Sequence, residues 1–202
     1  WRQLSSKALA GGFTFIGASD PELSKSSQGF NETKSVAMKD AFCDFGVYLE
    51  AAEENASVLK QLAPFAAGVV IRARDQVEID DMMKHLESWP ETSPVLVHAS
   101  GQGLAAILFG AVVQSCEVHV CKVRRRQDLG MIAAAKKRGL SISCDVDVTD
   151  LCATPSSSHI RSDDRMALWE NLDTIDAVNG PHELVLPLLM QAEREGRLDL
   201  EW

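Results

Sequence analysis

No run of apolar residues here is long enough to cross a bilayer. The longest, Leu104 to Val113, falls far short of the roughly 20 residues a spanning helix needs, so no membrane partner is expected. Basic charge is scarce: 20 Lys and Arg stand against 29 Asp and Glu, a net charge of −9. That balance argues against nucleic acid and anionic membranes, which both require clustered cations. The one basic cluster, Lys122 with Arg124, Arg125 and Arg126, reads as a solvated loop and helix start. No GxGxxG follows the first strand candidate and no GxxxxGK[ST] occurs, which leaves nucleotide binding without support. The five cysteines (Cys43, Cys116, Cys121, Cys144, Cys152) form no CxxC pair and sit mainly in apolar runs. Buried free thiols in a reducing cytosol are therefore expected rather than disulfides. No signal-peptide pattern opens the chain, and residue 1 is Trp rather than Met. The expectation is a cytoplasmic fragment of a longer polypeptide, forming one domain over residues 1–202.

What is present is a strict alternation. Strand candidates are Gly12–Ala18, Cys43–Leu49, Gly68–Ala73, Pro94–Ala99, Glu117–Val123, Ser141–Val146 and Thr174–Val178. Continuous apolar strands such as VLV and VHV suit a parallel sheet covered on its faces. Helices are expected between them: from an Asn31 cap to Phe42, over Glu53–Leu62, Ile79–Trp89 and Asp128–Arg138, from a Ser162 cap to Leu172, and over His182–Gly196. Lys136, Lys137 and Arg138 followed by Gly139 make a sound helix end. Ser24–Gly29 and Ala153–Ser158 read as loops. Seven strand–helix units imply α/β architecture, either a (β/α)8 barrel lacking a strand or a doubly wound sheet.

Several segments, in order, resemble the dihydroorotase domain of multifunctional pyrimidine-synthesis proteins. They are KALAGGFTFIGA (7–18), CDFGVYLEAAEENASVL (43–59), HLESWPETSPVLVHAS (85–100), EVHVCKVRRRQDLGMIAAAKKRGLSISCDV (117–146), ALWENLDTID (167–176) and LPLLMQAEREGRLDL (186–200). The resemblance implies an amidohydrolase-like (β/α)8 TIM barrel, here degenerate, with its first strand and strand-eight loop missing or shortened. In that family the domain lies between carbamoyl-phosphate synthetase and aspartate transcarbamoylase. An active member resembles a binuclear zinc hydrolase, with an HxH strand, a carboxylated lysine, further histidines and an aspartate base.

Position by position, the resemblance implies a lost site. The HxH strand is not in the sequence. Val70 stands where the bridging lysine belongs, Lys122 stands at a histidine ligand, and Thr149 lies in a stretch (Cys144–Asp150) stripped of histidine. His98 alone survives, as a vestige, and one neutral imidazole cannot hold two metals. Ser19-Asp20-Pro21-Glu22 replaces the family's substrate loop, and Ala177–Gly180 runs almost directly into the last helix. No catalytic, substrate-binding or metal residues and no cofactor are expected.

Ordinary packing explains most of the remaining chemistry-bearing residues. If Lys122 points inward, alternation turns His119 and Cys121 toward the helices. Asp145, Asp147 and Asp150 read as a solvated strand end and helix cap, and His85, His159 and His182 as surface residues. The stretch Gly103–Val113 is apolar all round, so its outer face needs a cover. Leu104, Ile107, Leu108, Phe109 and Val112 are the candidates for a homodimer interface, with a neighbouring domain as the alternative. The reading is an inactive, fungal-type dihydroorotase-like domain with a linking and dimerising role, flanked by carbamoyl-phosphate synthetase and aspartate transcarbamoylase. The alternative is an active zinc amidohydrolase separated from its HxH strand, and a third option is a regulatory module binding a pyrimidine or its precursor.

Overall fold

A computed structural model of the protein describes residues 1–73, 78–152 and 160–199. Helix α1 (Arg2–Ala10) precedes strand β1 (Phe15–Ala18), and α2 (Ser27–Asp40) leads to β2 (Asp44–Glu50). Then follow α3 (Ala56–Leu62), β3 (Gly68–Ala73), α4 (Glu78–Ser88), β4 (Val95–Ala99), α5 (Gly101–Gln114) and β5 (Val118–Val120). The chain continues through α6 (Arg126–Lys137), β6 (Ile142–Asp147), α7 (Val148–Cys152), α8 (Ser162–Glu170), β7 (Ala177–Asn179) and α9 (His182–Arg194).

All seven expected strands are present and pair in parallel in chain order, β1 to β7, as one curled sheet. The architecture is a truncated (β/α) barrel, with β1 and β7 as its two edges. Parallel pairing of consecutive strands requires each crossover to pass over one face, and helices on that face bury what the strands present to it. Leu49, Val69, Ile71, Val95, Val97, Val118, Val120, Cys144 and Val146 accordingly form one core with Leu104, Ile107, Leu129 and Ile132 from the helices.

Across the open side, α1 packs on α9. A Cβ at Gly11 would lie 2.2 Å from the carbonyl oxygen of His182, so only glycine permits this approach. At the end of α6, Gly139 adopts φ +81°, the left-handed stop expected from its sequence.

Several boundaries differ from expectation. Ser26, not Asn31, caps α2: its hydroxyl accepts from the Gly29 amide at 3.1 Å. The supposed loop Ser24–Gly29 is thus a helical turn and the start of α2, with Ser24 fully buried. Ser162 lies inside α8, whose cap is Arg161. Helix α1 was not expected, because it buries only Ser5 and Ala8 and carries little apolar periodicity. The expected loop Ala153–Ser158 and His159 lie outside the described residues.

The helix after β4 is confirmed, but its interface residues divide. Leu104, Ile107 and Leu108 are buried at 0, 0 and 9% exposure and belong to the domain's own core, so they are removed from the interface. Phe109 and Val112 remain on the outside at 66 and 54%, joined by Val113 at 55%. The apolar composition of α5 therefore serves two opposite faces.

Candidate functional site

Strand register decides which side chains share the inner face of the curl. Glu50 pairs with Val70, Val70 with Leu96, Leu96 with His119, and His119 with Ser143. Because side chains alternate along a strand, Arg72 and His98 join this face one step toward the C-terminal ends, as does Asp145. Asp147 and Asn179 complete it on β6 and β7. In barrels of this kind the C-terminal ends of the strands carry the chemistry.

His119 therefore faces inward, against the sequence expectation, and so does Cys121, whose sulfur lies with His119 and Asp145. The reason lies at Lys122. Strand β5 ends at Val120, and Lys122 adopts φ +56°, outside the β region. Alternation counted back from Lys122 crosses this turn and inverts the face.

Four acid–base pairs span the inner face and its rim. Arg72 grips Glu50 with two bonds, Nε to Oε2 at 3.1 Å and Nη2 to Oε1 at 2.9 Å, and the Ser19 hydroxyl also donates to Glu50. The His119 ring bridges Ser143 Oγ (2.8 Å) and Asp145 Oδ2 (2.9 Å). Asp145 Oδ1 accepts from the Lys122 amide at 2.7 Å and from Asn179 Nδ2. The Lys122 ammonium lies 3.7 Å from Asp147 Oδ2. At the rim, Arg124 donates to Asp150 through Nε (2.5 Å) and Nη2 (2.8 Å). Asp145 is thus a buried hydrogen-bond partner of His119 and Asp150 a buried ion-pair partner of Arg124, not the solvated strand end expected. Asp147 does act as a cap, accepting from the Thr149 amide (2.9 Å) and hydroxyl (2.7 Å).

His98 is half-buried and has no hydrogen-bond partner among the described residues. Burial, and then the positive charge of Arg72, lower its pKa, so the ring is neutral at pH 7. The Cys121 thiol is pushed up to about 12 by burial and by the negative charge of Asp145, and stays protonated. His85 is also buried, its Nε2 3.0 Å from the Ala52 carbonyl, which corrects its expected surface position.

The donor set does not fit a binuclear zinc centre. Val70 is buried and offers no ligand atom, the Thr149 side chain is engaged by Asp147, and two cations, Arg72 and Lys122, flank His98. One group among the described residues brings metal-ligating atoms together: His119, Cys121 and Asp145, within 4.8 Å of one another. Both nitrogens of His119 are already engaged, by Ser143 and Asp145, so the ring serves a hydrogen-bonded chain. Sequence reasoning missed Glu50, Arg72, Ser143 and Asn179. Its available signal was a charged residue at the C-terminal end of an otherwise apolar strand, as in DFGVYLE and GVVIRA.

No protein-family model matches the sequence. The chain is 33% identical over 236 residues to the multifunctional protein CAD of Squalus acanthias, covering 96% of this chain and 10% of that protein. It is 30% identical over 244 residues to the multifunctional protein pyr1-3 of Dictyostelium discoideum, covering all of this chain and 11% of that one. The chain thus spans about a tenth of the length of these relatives. Among solved structures, the inactive dihydroorotase-like domain of a Chaetomium thermophilum CAD-like multifunctional protein superposes with a TM-score of 0.91 at 23% identity. It covers 98% of this chain and 68% of that one. The L-hydantoinase of Arthrobacter aurescens superposes with a TM-score of 0.86 at 16% identity, over 98% of this chain and 62% of that one.

Proposed function

We propose that this chain, a homologue of one segment of the multifunctional pyrimidine proteins with a dihydroorotase-like fold, is a catalytically inactive domain that links and dimerises such a protein. Its neighbours on the longer polypeptide are carbamoyl-phosphate synthetase and aspartate transcarbamoylase domains, and it works in the cytoplasm.

The observation that carries the reading is the replacement of metal charge by protein charge. A binuclear hydrolase needs anionic and neutral ligands converging on two cations, which together acidify a bridging water. Here the inner face supplies its own cations: Arg72, paired with Glu50, and Lys122, 3.7 Å from Asp147. A divalent ion entering beside His98 would meet both positive charges, and no step of zinc-dependent ring opening can be built from these side chains.

The linking role rests on the opposite side of the domain. Helix α5 contains no charged residue and exposes Phe109, Val112 and Val113 as one ridge. In a two-fold interface the same patch meets itself, so a neutral apolar ridge avoids the self-repulsion that a chain of net charge −9 would otherwise incur. Phe109 is its natural anchor.

Zinc analysis combined with a dihydroorotate hydrolysis assay tests the inactive reading. The expected result is substoichiometric zinc and no turnover. Stoichiometric zinc with measurable turnover would overturn it in favour of an active zinc amidohydrolase completed by an upstream HxH strand.

A further inference from the structure

A concavity of about 430 Å3 opens between the C-terminal ends of β3, β4 and β5, lined in part by His98, Ser100, Lys122, Arg125 and Asp128. The scaffold reading gives it no task. We propose that it binds a small oxyanion, a phosphoryl or carboxylate group, held between Lys122 and Arg125.

The sign of the ligand follows from which charges are already spent. Arg124 also lines the cavity, but its guanidinium is committed to Asp150 by two bonds. The Asp128 carboxylate is buried and accepts the Gly101 amide at 2.8 Å. Lys122 is more than half exposed and only 3.7 Å from its carboxylate, a contact that adds little in water. Arg125 makes no ion pair among the described residues and retains its forked donors. Two under-used cations therefore face one concavity in a chain that is acidic overall. Arginine's planar fork matches the paired oxygens of carboxylate or phosphate, and lysine adds a point charge.

Three cations, Lys122, Arg124 and Arg125, line the concavity against one carboxylate, Asp128. Ala99 and Ser100 place the cavity at the start of the 14-residue helix α5, whose N-terminal end carries partial positive charge. The Asp128 carboxylate already caps that end through the Gly101 amide at 2.8 Å, and Gly101 itself, at φ +56°, places no side chain between the helix and Arg125. His98, without a partner among the described residues, also lines the concavity and offers a hydrogen bond. A cation would meet Lys122, Arg124 and Arg125 against the single carboxylate of Asp128, and an apolar ligand would desolvate two charges without return.

Titration of the 202-residue chain with inorganic phosphate, and separately with succinate, tests the proposal by calorimetry and by amide shifts in two-dimensional NMR. Saturable binding is expected for at least one anion, weakening as salt rises, with shifts concentrated at Gly101–Gly103 and Lys122–Arg125. Phosphate binding alone identifies a phosphoryl site, and succinate binding alone a carboxylate site. Arg125→Glu and Lys122→Glu should each weaken binding by roughly tenfold or more. Both side chains are exposed, so the variants should keep the wild-type circular dichroism spectrum. Absence of saturable binding up to ~10 mM of either anion overturns the proposal, as does binding indifferent to both substitutions or mapped to other amides. The scaffold reading stands apart from either result, because Lys122 opposes a metal by its charge whether or not it also holds an anion, and Val70, Arg72 and the outer ridge of α5 take no part in the anion site.

Discussion

Arg72 and Glu50, on adjacent strands of the sheet, form a two-bond ion pair in which the carboxylate is almost wholly buried. The pair lies beside Val70, the strand neighbour of Glu50. It fills the centre of the inner face with compensated charge, and its stability consequences can be measured.

Removing the cation alone strands a buried carboxylate. Arg72→Met is expected to cost about 2 kcal/mol, below the full cost of breaking a buried pair because the arginine is about a third exposed. Adding Glu50→Gln in the same chain should recover part of that loss. Urea unfolding of both variants measures this, and a double variant no more stable than Arg72→Met would argue against the pair as described.

Two histidines tie stability to pH. Burial lowers the pKa of both His85 and His98 below 6.5 in the folded state. The unfolded chain therefore binds protons first as pH falls. Their contribution is fully present above about pH 6.5 and is lost as pH drops through that value toward the folded pKa. The urea midpoint should fall between pH 7.5 and 5.5 in the wild type, and less steeply in His85→Gln. Equal slopes in both proteins would exclude His85 as a contributor.

The frame of this domain was legible in the sequence and much of its inner face was not. Apolar runs such as VVI and VLV place strands because a covered parallel sheet buries both faces, and that demand is local. The orientation of His119 depended on where β5 ends, and the left-handed turn at Lys122 leaves no mark in composition. His85 looked exposed because its partner, the Ala52 carbonyl, is distant in sequence. The uniform apolarity of α5 could not distinguish Leu104 and Ile107, which support the sheet, from Phe109, which meets solvent. Pairing of Arg72 with Glu50 is a tertiary fact that two strand-end charges only hint at.

Thiol reactivity should separate the cysteines by burial. Cys121, pushed up to about 12, and Cys144, pushed up to about 11, are buried thiols, and both should resist Ellman's reagent at pH 8 in the native protein. Unfolding in urea should release them at the rate of a free peptide thiol. Rapid native labelling of Cys121, located by peptide mapping, would contradict the inward, protonated arrangement.

The seam between α1 and α9 should be intolerant of a single methyl group. Gly11 has φ −85°, an angle any residue can adopt, so conformational freedom is not the issue. The obstacle is backbone, since the added Cβ would fall 2.2 Å from the His182 carbonyl oxygen. Gly11→Ala should therefore separate the two helices and lower stability by about 1–3 kcal/mol, the range for overpacking. A thermal midpoint unchanged from wild type would show that the helices do not approach this closely.

Helix α5 allows the fold and the assembly to be perturbed independently. Leu104 and Ile107 are fully buried, so Ile107→Ala should cost about 2–5 kcal/mol in unfolding free energy. Phe109 is two residues further along and exposed, and Phe109→Glu should leave stability within about 0.5 kcal/mol of the wild type. If a second copy covers the Phe109, Val112 and Val113 ridge, the same substitution places two carboxylates against each other across the two-fold axis. Sedimentation velocity should then show a dimer for the wild type and a monomer for Phe109→Glu. A wild-type monomer at all concentrations removes the homodimer and leaves a neighbouring domain as the cover. A dimer that survives the substitution moves the interface to another surface.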